Sequence, residues 1–322
     1  MNTTSTNPSQ SVESTIAVMR GVLPVLQMAY HENETIDFDT LSCEIDWLYQ
    51  CGADGVVLAM VSEWLRLNDG ERQQVCQQVV KASNGRGSVT VSVGAESAFV
   101  AVAQARNAEQ NGATAVMAIP PLSIALPESE LLAYYRRIIE CVKIPVIVQD
   151  ASGYVGMPMP ISALSTLLDD YGPQRVLFKP EATPIGPKLT ELREATGARA
   201  RVFEGSGGIS LVDSYRRGIV GTMPGAEMIE GIVALWRALE VDDQPTIDRL
   251  SMPIGSLVAL QTGLDGFLAV EKHLLVRQGL FKNTIVRHPV GFQLDDETRR
   301  EVDRLFDLLT LALLTPALKE TK

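Results

Sequence analysis

Eight short apolar runs, each followed by a stretch of helical periodicity, set the limits on what this chain can fold into. They fall at 21–26, 55–59, 88–93, 115–119, 145–149, 175–179, 200–203 and 218–221. The runs are rich in Val, Ile and Ala and lack the polar alternation of a half-wet strand, so each predicts a strand buried on both faces of a parallel sheet. Helices are expected over 39–51 and 69–83, from 97, over 127–142, from 161 and near 187. Eight such units predict an α/β fold, a closed (β/α)8 TIM barrel. No G-x-G-x-x-G follows the first run, which weakens an open nucleotide-binding sheet. Past 239 the pattern turns helical, over 246–278 with a break expected near Pro253, and over 295–314 behind Asp295 and Asp296. The expected organisation is a flexible leader at 1–14, the barrel at 15–240, and C-terminal helices at 241–322 packed on it.

Composition removes several function classes. A net charge of −11 over 322 residues, with no basic cluster, argues against a nucleic-acid partner or an anionic membrane surface. The N-terminal stretch is rich in Ser, Thr and Asn and lacks the basic and apolar regions of a signal peptide. No apolar run approaches a membrane span, so a cytoplasmic protein is expected. Cys43, Cys51, Cys76 and Cys141 form neither a CxxC pair nor a secreted framework, which predicts reduced and mostly structural thiols. His31, His273 and His288 are too scattered for a histidine-based metal site, and no metal is expected.

Within this frame the chemically informative residue is Lys179, which closes the sixth apolar run after Val176, Leu177 and Phe178. The carboxyl ends of barrel strands are where such folds do chemistry. Burial there would disfavour the ammonium and free some neutral amine for attack on a carbonyl. The alternative is a lysine that lays its stem along the strand end and reaches solvent.

The strand ends, set in order, carry a resemblance. Ile36 and Asp37 follow the first strand, and 52–55 lead to Ser62, Glu63 and Leu67. Pro120 and Pro121 follow the fourth, 145–148 form the fifth, Lys179 ends the sixth and Gly205 follows the seventh. This set resembles the dihydrodipicolinate synthase/N-acetylneuraminate lyase superfamily over about residues 21–314. The resemblance implies a class I lyase in which Lys179 forms an imine with the ketone of a 2-keto acid. No other cofactor is then needed, because the protonated imine is itself the electron sink. Several positions depart from the superfamily's synthase. Met60 and Val61 replace a threonine pair, Gln149 and Leu122 stand at two relay tyrosines, and Tyr154 stands where an arginine is expected. These departures count against dihydrodipicolinate synthesis. The chain is similar instead to the 2-keto-3-deoxy sugar acid dehydratases at Ser62 and Glu63, at 148–151, at Phe178, Lys179 and Glu181, and at Glu204 and Gly205. It is also similar to them at 221–223 and Gly225, and at 287–289, although Leu122 and Met60 differ from that branch too.

Roles follow from the chemistry. Glu181 lies on the same side of an extended chain as Lys179, as a base or as an ion-pair partner. Gln149 cannot titrate, so it orients water or a substrate hydroxyl. Ser62 is placed to donate to the C1 carboxylate, or else to cap a helix. The phenol of Tyr30 would relay protons, or its ring would simply pack. The resemblance adds Glu63, Gly205 and Met223 to the substrate contacts. Gly205 opens a run of small residues read as a close-approach loop at the pocket mouth. The expected activity is dehydration of a 2-keto-3-deoxy sugar acid. A pyruvate-releasing aldolase, a dihydrodipicolinate synthase-type enzyme and a barrel that binds a keto acid without turning it over are the alternatives. The apolar stripe of 295–314, together with the usual state of the family, implies a homodimer or homotetramer.

Overall fold

The computed structural model describes residues 19–153 and 156–315. The expected leader, 1–14, and the position of Tyr154 lie outside the described residues.

Eight parallel strands form the centre. They are β1 (Gly21–Val22), β2 (Gly55–Leu58), β3 (Ser88–Ser92), β4 (Ala115–Ala118), β5 (Val146–Asp150), β6 (Val176–Pro180), β7 (Phe203–Glu204) and β8 (Gly221–Thr222). β2 through β6 pair in sequence order, and β8 sits between β1 and β7. Bridges from Val25 to Val57 and from Phe178 to Val202 join the two sheets into a barrel. Side chains at every second position fill its interior: Val57, Met117, Ile147, Leu177 and Phe203 pack together with Leu23, Val25 and Met223. Their neighbours Val56, Leu58, Val176 and Phe178 face outward into a larger core shared with the helices. This two-sided burial is the physical reason for the unbroken apolar runs.

Around the barrel lie α1 (Phe38–Cys51), α2 (Asp69–Ser83), α3 (Ala98–Gln110), α4 (Glu128–Cys141), α5 (Ile161–Tyr171), α6 (Ile185–Ala195), α7 (Leu211–Arg216) and α8 (Ile229–Glu240). The chain then adds α9 (Gln244–Val258), α10 (Gly263–Arg277) and α11 (Asp296–Leu314). Several helices begin where side-chain oxygens satisfy free amides. Asp37 accepts from Thr40 N, Asp295 accepts from Thr298 N, and Asn68 and Glu71 form a reciprocal box. No single helix among the described residues is long and apolar enough to cross a membrane.

Several boundaries differ from those expected: β1 stops at Val22 rather than at residue 26, and β7 is Phe203–Glu204 rather than 200–203. The eighth strand is Gly221–Thr222 rather than 218–221, because Gly218, at φ +90°, is part of the turn that precedes it. Pro253 does not break its helix. Ile254, Leu257 and Val258 keep burying the same face, and the chain turns only before Gly263, at φ +66°. Burial outweighs the single backbone donor that proline removes. Among the thiols, all four are free but only Cys76 is buried, and Cys43 is exposed. In α11, Val302, Leu305 and Leu309 pack inward while Leu308, Leu311 and Leu314 face outward.

Candidate active site

The strand alternation that buries Ile147 and Leu177 places the next inward residues, Gln149 and Lys179, one layer higher at the carboxyl end of the barrel. The β5–β6 register sets these two residues side by side. The Glu181 amide donates to Asp150 O at 2.8 Å, extending the pairing past the strand and returning the Glu181 carboxyl to the same spot. Lys179 Nζ stands 2.7 Å from Glu181 Oε1, and Gln149 Nε2 donates to Glu181 Oε2 at 2.6 Å. Both members of the ion pair are buried, 4% exposed each. Burial pushes the Glu181 carboxyl above the usual range, while Lys179 and the Gln149 bond pull against it. Gln149 Oε1 is buried without a partner, an acceptor left facing this space.

Gly205 is needed here for its missing side chain. A Cβ at this position would lie 2.6 Å from Glu181 Oε1 and 2.7 Å from Lys179 Nζ. Around the pair, Met60, Val61, Met223, Leu264 and Phe267 line a narrow cavity of about 40 Å³, which Gly225 and Glu271 also line. Lys179, Gln149, Glu181, Gly205 and Met223 are thus brought to one cavity.

Ser62, Glu63 and Tyr30 do not line it. The Ser62 hydroxyl accepts from Ala59 N at 3.1 Å and closes the turn Met60–Ser62, so its oxygen serves the backbone. Glu63, held at φ 52°, accepts from Lys272 Nζ at 2.5 Å and from Arg287 N at 3.0 Å. It therefore clamps the C-terminal segment onto the second strand's loop. Tyr30 is packed between two cations, with Lys272 Nζ 4.7 Å and Arg287 Cζ 4.8 Å from its ring centroid. Burial first, and Glu63 second, push its phenol up, which suits a packed ring better than a proton relay. Asp150 accepts from Ser152 N and Met159 N, and Glu204 from Ser206 N and Thr222 Oγ1; these four bonds organise loops. Trp64 is buried away from the cavity, and Leu122 also lies outside it.

Three buried glutamates, of which Glu271 lines the cavity, were not expected from the sequence. Glu271 on α10 receives a hydrogen bond from Gln27 Nε2, and Gln27 N donates to Glu44 Oε1 at 2.8 Å. Glu227 accepts from Gln261 Nε2 at 3.1 Å. All three glutamates are buried. A signal for them did exist. Glu44 falls on the core face of α1 with Leu41, Ile45 and Leu48, and Glu271 falls among Phe267, Leu268, Val270, Leu274 and Leu275. A carboxylate in the buried stripe of an amphipathic helix is unusual unless it is paired or functional.

A larger cleft of about 570 Å³ opens elsewhere, bordered by Asp265, His273, His288 and Arg299. It contains no buried amine and cannot support imine chemistry. Among the described residues, no group of His, Cys, Asp or Glu is arranged to hold a metal ion.

The profile of the Dihydrodipicolinate synthetase family matches residues 18–308. An L-2-keto-3-deoxyarabonate dehydratase of Azospirillum brasilense is 28% identical over 291 residues, covering 88% of this chain and 92% of the relative. A 4-hydroxy-tetrahydrodipicolinate synthase of Rhizobium meliloti is 25% identical over 299 residues, covering 89% and 97%. The crystal structure of dihydrodipicolinate synthase from Rhodopseudomonas palustris superposes with a TM-score of 0.80 at 24% identity, over 90% of this chain and 97% of that one, a likeness of fold. Spanning the barrel and most of the C-terminal helices, the chain belongs to the dihydrodipicolinate synthetase family and is a lyase of that family, whose members bind keto acids through an imine on a lysine and need no added cofactor.

Proposed function

We propose that this lyase removes water from a 2-keto-3-deoxy sugar acid through an imine on Lys179. The observation that carries the reading is the buried contact of 2.7 Å between Lys179 Nζ and Glu181 Oε1, with Gln149 bonded to the other carboxylate oxygen. At this distance Glu181 takes the ammonium proton, freeing the amine to attack C2. It returns that proton to the carbinolamine oxygen, which leaves as water, and the iminium forms. As a carboxylate once more, Glu181 takes a proton from C3, and the C–H electron pair forms the enamine. The enamine pair then moves to form the C3–C4 double bond as the C4 hydroxyl departs, and hydrolysis frees Lys179. The unpartnered Gln149 Oε1 accepts from a substrate hydroxyl and fixes its orientation.

The likeness to the arabonate-type dehydratase supports this reading, as does Gln149 where the synthase keeps a relay tyrosine. A cavity of 40 Å³ corresponds to about three water-sized probe spheres, so its closed part takes the keto-acid head and the polyol tail points outward. Retro-aldol cleavage releasing pyruvate shares the same iminium and is the second outcome of the test. Turnover of a panel of 2-keto-3-deoxy pentonates and hexonates, with products identified by mass, decides. Loss of 18 mass units, the mass of one water, is expected; pyruvate release would reassign the enzyme as an aldolase, and binding without product would leave a keto-acid-binding barrel.

The same reading includes a cytoplasmic homodimer or homotetramer joined through the outward row Leu308, Leu311 and Leu314. Sedimentation at micromolar concentration should show the assembly, and a monomer would remove it.

A further inference from the structure

We propose that Glu271 is a second catalytic residue, a carboxylic acid lining the same cavity as Lys179 and Glu181 that protonates the hydroxyl leaving C4. The inference rests on the dehydratase reading and adds the group that reading lacks. Hydroxide is a poor leaving group and needs a proton donor; Glu181 holds the C3 proton beside Lys179, and Glu271 is a second carboxyl lining the cavity. In the balanced step, the enamine electron pair forms the C3–C4 double bond and the C4–O bond breaks. The oxygen keeps its pair and takes the Glu271 proton, water departs, and the iminium is restored. Glu271 is then a carboxylate and Glu181 still holds the proton from C3; before the next cycle Glu181 releases that proton to solvent and Glu271 takes one up, so no net proton is gained or lost.

Placement is the first support. Glu271 lines the same cavity as Gln149, Lys179 and Glu181. The chain clears space for its carboxyl with Gly225, where a Cβ would stand 2.5 Å from Glu271 Oε1 and 2.3 Å from Glu227 Oε2. Two carboxyl oxygens from different elements thus converge on one point, and Glu227 Oε2 is buried there with no partner.

Surroundings are the second. Around Glu271 are Gln27 from the segment after β1, Glu44 from α1, and Glu227 from the segment before α8, itself bonded to Gln261 from the turn before α10, while Lys179 and Glu181 line the same cavity. The adjacent cation, Lys272, is bonded to Glu63 and to Ile285 O and stands over Tyr30, with the Arg66 guanidinium and the Arg287 backbone amide also on Glu63. Three buried glutamates therefore share a region where none of them is hydrogen-bonded to a cation. Like charges in that setting cannot all ionise. Burial first, then Glu227 and Glu44, hold the Glu271 carboxyl well above the usual range. Burial pushes Glu44 up to about 8 and Glu227 up to about 7. Two carboxyls facing one cavity, one beside a lysine and the other among glutamates, have the environments that separate a base from an acid.

The test uses the full-length protein with two compounds: the panel member that the wild type dehydrates, and its 4-chloro analogue, whose chloride departs without a proton. In Glu271→Gln, kcat for the hydroxy compound should fall on the order of 10²–10⁴-fold, the usual loss for a general acid, while the chloro compound turns over comparably to wild type. Borohydride trapping and melting temperature should be unchanged, and the alkaline limb of the kcat profile should disappear. Equal loss on both compounds, or no loss on either, overturns the role. Should Glu271→Gln fail to fold, Glu227→Gln serves. Removing that neighbouring carboxylate should move the alkaline limb of kcat to lower pH, and an unmoved limb overturns the proposal. A wild type that eliminates chloride but never water refutes the acid while keeping the imine. A wild type that eliminates neither takes down the dehydratase reading and this role together.

Discussion

On the β6 side of the cavity, Glu181 stands 2.7 Å from a lysine and 2.6 Å from a carboxamide; on the α10 side, Glu271 has a carboxamide partner and two other glutamates for neighbours. Residue type and depth are nearly the same, 4% and 1% exposed. The environments are not. Burial raises both carboxyls, but at Glu181 the bonded Lys179 is the main opposing influence and Glu204 adds little, whereas at Glu271 two carboxylates add to burial and the opposing Lys272 ranks last. Charge partners, rather than depth, decide which of two buried acids gives up its proton.

The largest effect that could break this contrast is at Glu181. If it also takes the C3 proton, Glu181→Gln should cut turnover on the order of 10²–10⁴-fold, well beyond the slowing of borohydride trapping of pyruvate that its loss beside Lys179 causes. Equal loss of trapping and turnover would reduce Glu181 to a charge partner of Lys179.

The two walls were not equally legible in the sequence. Lys179, Gln149 and Glu181 sit at or just beyond strand ends, and strand period two, once the barrel is recognised, dictates that residues 147 and 149 or 177 and 179 share a face. Gly205 and Met223 follow the next two strands and reach the same rim. The α10 wall depends on a C-terminal helix whose docking no local pattern encodes. Glu271 meets Gln27 across 244 residues of chain. Ser62, Glu63 and Tyr30 show the opposite problem. They stand close to the right strand ends, but Ser62 turns to its own backbone, while Glu63 and Tyr30 turn to Lys272 and Arg287. Those cations come from the same distant segment. Fold class and strand order were readable because burial repeats locally, whereas the partners of each polar group were not.

A pair of glycines sharpens the contrast with a smaller effect. Neither Gly205 nor Gly225 has a positive φ, so alanine at either position acts through its Cβ alone. Gly205→Ala crowds Lys179 and Glu181, and both trapping rate and turnover should fall, by up to roughly 10²-fold for a displacement near 1 Å. Gly225→Ala crowds Glu227 and Glu271, and turnover should fall with trapping unchanged. Matching losses of trapping in the two variants, measured by intact mass over time, would erase the division between an imine wall and a proton wall.

The central claim is that Lys179 is the amine that forms the imine. Incubating the wild-type protein with pyruvate and borohydride, then mapping the modified peptide, tests it directly. One reduced adduct per chain is expected, on Lys179, and none in Lys179→Arg, because arginine stays protonated and cannot attack. An adduct on Lys272 or any other lysine, or persistence of the adduct in Lys179→Arg, would contradict it.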